Sequence, residues 1–319
     1  MYKSVLPRVL DAYDIKYRRI FDCQKGYRNE IWPILTTGDE MINVTFYKRE
    51  AGITGRIKNA DVVSKFLSLS GLPVRKRIDN RTLVLKSKNQ TTNIGVYNYL
   101  PGNTIPWEAY TMEHIKTLGG TMSDMHDFLS KMSIASLSSV YDEYLAIIGR
   151  MESYFGRTNI QDAIGNKLNL RIDLNRFEEY RTLLSEYIVK PNQQPLHMDF
   201  VRGNILFEGN KISGILDFEK TALGHPIMDI ARTLAFLLVD CKYKTTDKVI
   251  KYFLYSGYKK RGKNKDIGDS DDRNKLVEMF IFYDLYKFLR HNPYESLDLN
   301  EHYLRTRDIL VKRGVIFYK

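Results

Sequence analysis

The chain has 319 residues, 43% of them hydrophobic, and a formal net charge of +11. That length suits about two domains with a large buried core. Its two cysteines, Cys23 and Cys241, have no CxxC partner, which argues against a disulfide scaffold or structural zinc and for a reducing, cytoplasmic setting.

The first hundred residues read as mostly strand. Segments 17–23, 30–35 and 42–47 come first, the last with the apolar/polar alternation of a half-buried strand. A helix is expected over 59–69, where Ala60, Val63, Phe66 and Leu67 share one side, and Gly71-Leu72-Pro73 ends it. Strands over 81–86 and 92–99 complete the region. Leu100-Pro101-Gly102-Asn103 then marks a break. From residue 108 the spacing turns helical, and it stays so to near the end, apart from a strand pair after residue 204. The expected division is 1–98, a β-rich lobe, and 99–319, a mainly helical lobe.

The first residues lack a signal-peptide pattern. The most apolar run, 235–239, is far shorter than the roughly 20 residues a membrane span needs. The basic run 259–265 is followed at once by Asp266, Asp269, Asp271 and Asp272, which reads as a solvated loop, so no nucleic-acid partner is expected. There is no GxGxxG, HExxH or GxSxG, and the six histidines lack metal-ligand spacing.

The chemistry gathers in one stretch. His197-Met198-Asp199 is followed by Asn204 and the apolar Ile205-Leu206-Phe207; after a turn at 208–210 the chain returns to Asp217. Asp and Asn at such places can simply cap turns. In this order, though, they match the needs of phosphoryl transfer: a carboxylate to orient a hydroxyl, and an amide and a second carboxylate to hold magnesium on the phosphates.

These residues carry a family resemblance. His197, Asp199, Asn204 and Asp217 match the HxDxxxxN and IDxE signatures of the aminoglycoside phosphotransferase and choline kinase superfamily, and Gly224 to Ala231 resembles its GxPxxDLA segment. Tyr97 to Gly102 is similar to the family's E-Y-L-P-G, and Leu118 to His126 to its LGxxLAxLH. The resemblance implies a two-lobed, protein-kinase-like α+β fold: a small antiparallel β-sheet lobe with one helix, then a larger helical lobe. It implies ATP and Mg2+ as cofactors and a small hydroxylated molecule as acceptor. Asp199 would orient the acceptor hydroxyl, His197 would brace the loop, and Asn204 and Asp217 would bind the metal. Asp229 would anchor the catalytic loop.

The resemblance further implies that Lys48 contacts the α- and β-phosphates, although Arg49 next to it leaves the register open. Asp61 would hold that lysine, where the family has the longer Glu. Gly26 and Asn29 fall in the nucleotide loop, and Asn98, Tyr99 and Leu100 would offer backbone groups to adenine. A protein serine/threonine kinase, or a weakly active nucleotide-binding scaffold, is the alternative. The short interval from Asp217 to Asp229 disfavours a regulated protein kinase.

Overall fold

The computed structural model describes all residues except Met1, Gly26–Arg28, Lys88–Asn89, Trp107–Glu108, Ile134–Ala135 and Gly262–Lys265. The chain divides into two compact units: residues 1–103 with 204–208 and 213–220, and the remainder.

The first unit holds an antiparallel sheet. Its strands are β1 (Tyr17–Ile20), β2 (Gln24–Lys25), β3 (Glu30–Thr36), β4 (Met41–Phe46), β5 (Leu83–Ser87) and β6 (Gln90–Asn98). They lie in the order β1-β3-β4-β6-β5, with β2 pairing to β3. Period-two alternation explains the core: Ile42, Val44 and Phe46 of β4 pack with Trp32, Ile34, Ile94 and Val96. A helix that the sequence pattern did not reveal, α1 (Leu6–Ala12), adds Leu6, Val9 and Leu10 to this cluster. Seven residues with Pro7 in the first turn are too few to show a clear period.

Helix α2 (Ile53–Leu69) begins six residues before the expected position. It packs on the other face of the sheet, where Ile57, Tyr47 and Tyr97 form a separate cluster. The hairpin of β9 (Ile205–Glu208) and β10 (Lys211–Ile215) contributes to this unit as well. Two backbone links attach it: Arg75 N–H donates to Ile215 O (2.9 Å), and Ile215 N–H to Pro73 O (2.7 Å). Asn103 and Phe207 exchange backbone hydrogen bonds of 3.1 and 2.9 Å. Gly102 makes that approach possible. Its φ is +99°, and a Cβ there would lie 2.2 Å from Ser213 Oγ and 2.8 Å from Phe207 O. The interval 99–103 thus stays with the first unit, past the expected boundary at 98.

The second unit is mainly helical: α3 (Met112–Leu129), α4 (Val140–Phe155), α5 (Thr158–Leu168), α6 (Arg176–Ile188), α7 (Ile227–Asp240), α8 (Thr246–Ile250), α9 (Lys259–Arg261), α10 (Ser270–His291) and α11 (Glu301–Lys312). A π-helical run, Lys251–Tyr258, joins α8 to α9. Two small antiparallel pairs complete it: β8 (Gln194–Leu196) with β11 (Ala222–Gly224), and β7 (Leu170–Ile172) with β12 (Ile316–Tyr318). Gly119 lets α3 meet the π-helical run, since a Cβ there would lie 2.0 Å from Phe253 O. No helix among the described residues is long and apolar enough to cross a membrane.

Candidate active site

The expected catalytic loop leaves β8 directly. Met198 has φ +58°, unusual for a side chain of its size, so something must hold the turn. Asp229, in the first turn of α7, does so. Its Oδ2 accepts the His197 N–H at 2.8 Å and its Oδ1 the Met198 N–H at 2.9 Å. His126 Nε2 lies 3.2 Å from Oδ2, while its Nδ1 meets Tyr258 Oη at 2.7 Å. Donation from Nε2–H to the carboxylate leaves Nδ1 to accept the tyrosine hydroxyl proton. Burial opposes ionisation of Asp229, but His126 and the loop amides outweigh it and hold the carboxyl below its ordinary value.

His197 is wholly buried, and its Nδ1 accepts the Asp199 N–H at 3.1 Å. It therefore fixes the backbone that carries Asp199. Thr233 Oγ1 donates to Phe200 O (3.1 Å), tying the loop to α7 a second time. Arg232, one residue earlier, is buried, ion-paired to Asp284 at 3.2 Å and within electrostatic reach of Asp199. A small cleft beside this loop is lined by Tyr110, Phe200, Phe236 and Leu237, with Arg202 and Asp240 among its polar members.

In the first unit, the Leu216 N–H donates to Asn204 O at 2.8 Å. That bond brings Asn204 beside the end of β10, where Asp217 adopts φ +61°, a conformation Asp tolerates better than most residues. Glu219, two residues on, is buried and bonded to Arg75, whose Nη2 lies 2.6 Å from Oε1. Burial would raise the Glu219 carboxyl; the Arg75 guanidinium overrides it and holds the pKa at about 2. Arg75 also stacks on Tyr97, 4.4 Å from the ring centroid, and feels the Asp217 charge.

These donors suit magnesium. Asp217 and Asn204 carry hard oxygen atoms, and Glu219 Oε2 is buried with no hydrogen-bond partner among the described residues. No group of three or more His, Cys, Asp or Glu side chains able to hold a metal occurs among the described residues.

Among the described residues Asp61 pairs with an arginine, not with Lys48. Lys48 lies beyond the end of β4 with its side chain exposed, and its N–H donates to Asn29 Oδ1 at 3.1 Å. The buried face belongs to Tyr47 instead, because alternation places neighbours on opposite sides. Asp61 is held by Arg77 Nε at 2.6 Å and by Tyr97 Oη at 3.2 Å. Gly26 lies outside the described residues. The Asn98 N–H donates to Lys76 O at 3.1 Å.

Arg75 carried no sequence signal. Its position after α2 matches no motif, and only folding brings it to Glu219. His126 and Glu219 stood inside quoted motifs, yet spacing alone assigned neither a partner. The acids of 266–272 are largely engaged within the protein: Asp266 with His225 (3.1 Å), Asp269 as the α10 N-cap, Asp272 with Tyr187 Oη (2.9 Å). The aromatic stripe of α10 is core, with Phe282 stacked on Phe155 and Phe177 at 5.3 and 5.4 Å.

The chain covers nearly the whole of several solved structures. It aligns with an amicoumacin kinase in complex with AMP-PNP, Ca2+ and Ami at TM-score 0.68 and 18% identity, covering 97% of this chain and 96% of that one. A microcompartment-associated aminopropanol kinase aligns at 0.64 and 11%, covering 98% of each. The GDP complex of aminoglycoside 2'-phosphotransferase-IIIa aligns at 0.61 and 15%, covering 97% and 100%. At these identities the likeness establishes the fold: a kinase-like α+β architecture. By sequence, no curated protein matches the chain. Residues 24–241 match the phosphotransferase enzyme family, and with two thirds of its length matched, the chain belongs to that family.

Proposed function

We propose that the protein transfers the γ-phosphoryl group of Mg-ATP to a hydroxyl of a small molecule. The observation that carries this reading is the catalytic loop: two consecutive amides and His126 converge on Asp229, and the loop so held ends in Asp199. Asp199 would accept the acceptor's hydroxyl proton as that oxygen forms its bond to the γ-phosphorus. The bond to the β,γ-bridging oxygen breaks, and ADP leaves. Asn204 and Asp217 would hold magnesium, which neutralises phosphate charge when bound. His197 and Asp229 position the loop and move no proton.

The acceptor class draws support from fold relatives. Solved structures of similar fold are described as kinases of amicoumacin and aminopropanol and phosphotransferases of aminoglycosides and macrolides.

A panel of sugars, amino alcohols, nucleosides, macrolides and aminoglycosides, incubated with Mg-ATP and followed by ADP release, tests the reading. Acceptor-dependent ADP formation with a phosphate ester in the product is expected. Stabilisation by Mg-ATP with no turnover across the panel would favour a nucleotide-binding scaffold.

A further inference from the structure

We propose that Arg75, rather than a lysine on β4, is the cation that binds the nucleotide's phosphate chain, with Glu219 orienting its guanidinium. This rests on reading the site as a nucleotide phosphotransferase and names that site's phosphate-binding residue.

The sheet supplies the first argument. Ile42, Val44 and Phe46 fill the core on one face of β4, so Tyr47 takes the opposite face with Ile57 of α2 and Tyr97 of β6. A cation on that face, at that point of the strand, would have to stand at position 47. Position 47 is an uncharged tyrosine, 2% exposed. Lys48 follows the strand and is exposed.

A cation nevertheless occupies that face. Arg75 reaches it from the segment after α2, and its backbone is pinned to β10, two residues before Asp217, by the bond from its N–H to Ile215 O. Its guanidinium lies over the Tyr97 ring at 4.4 Å and against Glu219 at 2.6 Å. A guanidinium has five donors in a planar fork, and the Glu219 hydrogen bond uses one of them. The fork suits paired phosphate oxygens better than an ammonium does.

The carboxylates supply the second argument. Asp61, the acid that would steady a strand lysine, is committed to Arg77 and Tyr97. The buried acid–cation pair next to the metal candidate Asp217 is Glu219–Arg75 instead, and it is set by the same turn that places Asp217. Arg75 thus sits where an anionic phosphate chain and the metal's carboxylate would meet.

The full-length protein is titrated with Mg-ATP and with adenosine, and the ratio of the two affinities is the readout. Adenosine has no phosphate, so a general loss of structure lowers both affinities and leaves their ratio unmoved. Removing both partners, Arg75→Met with Glu219→Gln, avoids stranding a buried charge and is expected to lower the ratio at least tenfold, the scale of a charge-assisted hydrogen bond. Arg75→Lys keeps the charge but not the fork and is expected to lower it about threefold to tenfold. Lys48→Ala is expected to hold it within about twofold. An unchanged ratio in both Arg75 variants, or its collapse in Lys48→Ala, would overturn the assignment of Arg75 while leaving the nucleotide reading intact. Wild-type protein that binds neither ligand would overturn both.

Discussion

His126 Nε2 lies 3.2 Å from the Asp229 carboxylate, and both side chains are wholly buried. One carboxylate therefore joins α3, α7 and the two amides that open the catalytic loop. A buried carboxylate without such partners would be costly; here its donors are also the residues whose geometry matters.

Replacing Asp229 with Ala is expected to strand two loop amides and His126. A loss on the order of 3 kcal/mol in urea denaturation follows from unpaired buried groups. In the fraction that stays folded, kcat should fall while the Mg-ATP dissociation constant holds, because Asp229 touches the loop and not the nucleotide. Full turnover by this variant would remove the anchoring role.

Asp199→Asn keeps the size of the side chain and removes the proton acceptor. Transfer should slow by roughly 10² to 10⁴, the usual range for general-base loss. Calorimetric Mg-ATP binding should persist. A variant with wild-type kcat would show that Asp199 is not the base.

Asn204→Ala and Asp217→Asn each remove an oxygen donor proposed for magnesium. The Mg2+ concentration giving half-maximal velocity is expected to rise about tenfold or more in each. Unaltered magnesium dependence in both would place the metal elsewhere.

Acidification should destabilise the protein in a predictable window. A carboxyl whose folded pKa lies below its unfolded value adds stability above the unfolded value, and that stability is lost as pH falls through the folded one. Asp229 and Glu219 are both lowered, Glu219 from 4.5 to about 2. Stability measured in urea should thus decline from roughly pH 5 downward. Glu219→Gln should flatten the decline; an equally steep slope would argue against the Arg75–Glu219 pairing.

Gly102→Ala tests the linker. A Cβ there meets Ser213 Oγ and Phe207 O, and φ of +99° strains any L side chain. A loss of about 2 kcal/mol is expected from strain and overpacking. An unchanged denaturation midpoint would mean that the linker does not lie against β9 as described.

Much of this protein was legible in its sequence because the information is local. Alternation in β4 reported the core face of the sheet, and helical spacing reported α3 and α10. Asp199, Asn204, Asp217 and Asp229 sit at short separations in one segment, so their spacing could signal a shared purpose. The same alternation placed the third strand correctly, but it could not say that Tyr47 rather than Lys48 ends on the α2 face.

What the tertiary structure alone decided are pairings across long sequence distances. Arg75 meets Glu219 after a separation of 144 residues, and His126 meets Asp229 after 103. Asp61 meets Arg77 and the Tyr97 hydroxyl, residues that lie 16 and 36 positions along the chain. The Asp266–Asp272 acids looked like a solvated cluster until His225 and Tyr187 arrived from elsewhere in the chain. Residue type and spacing state which chemistry a segment can perform. Which charge is desolvated, and beside which partner, depends on chain closure, and that is why the phosphate-transfer stretch was readable while the cation proposed to serve it was not.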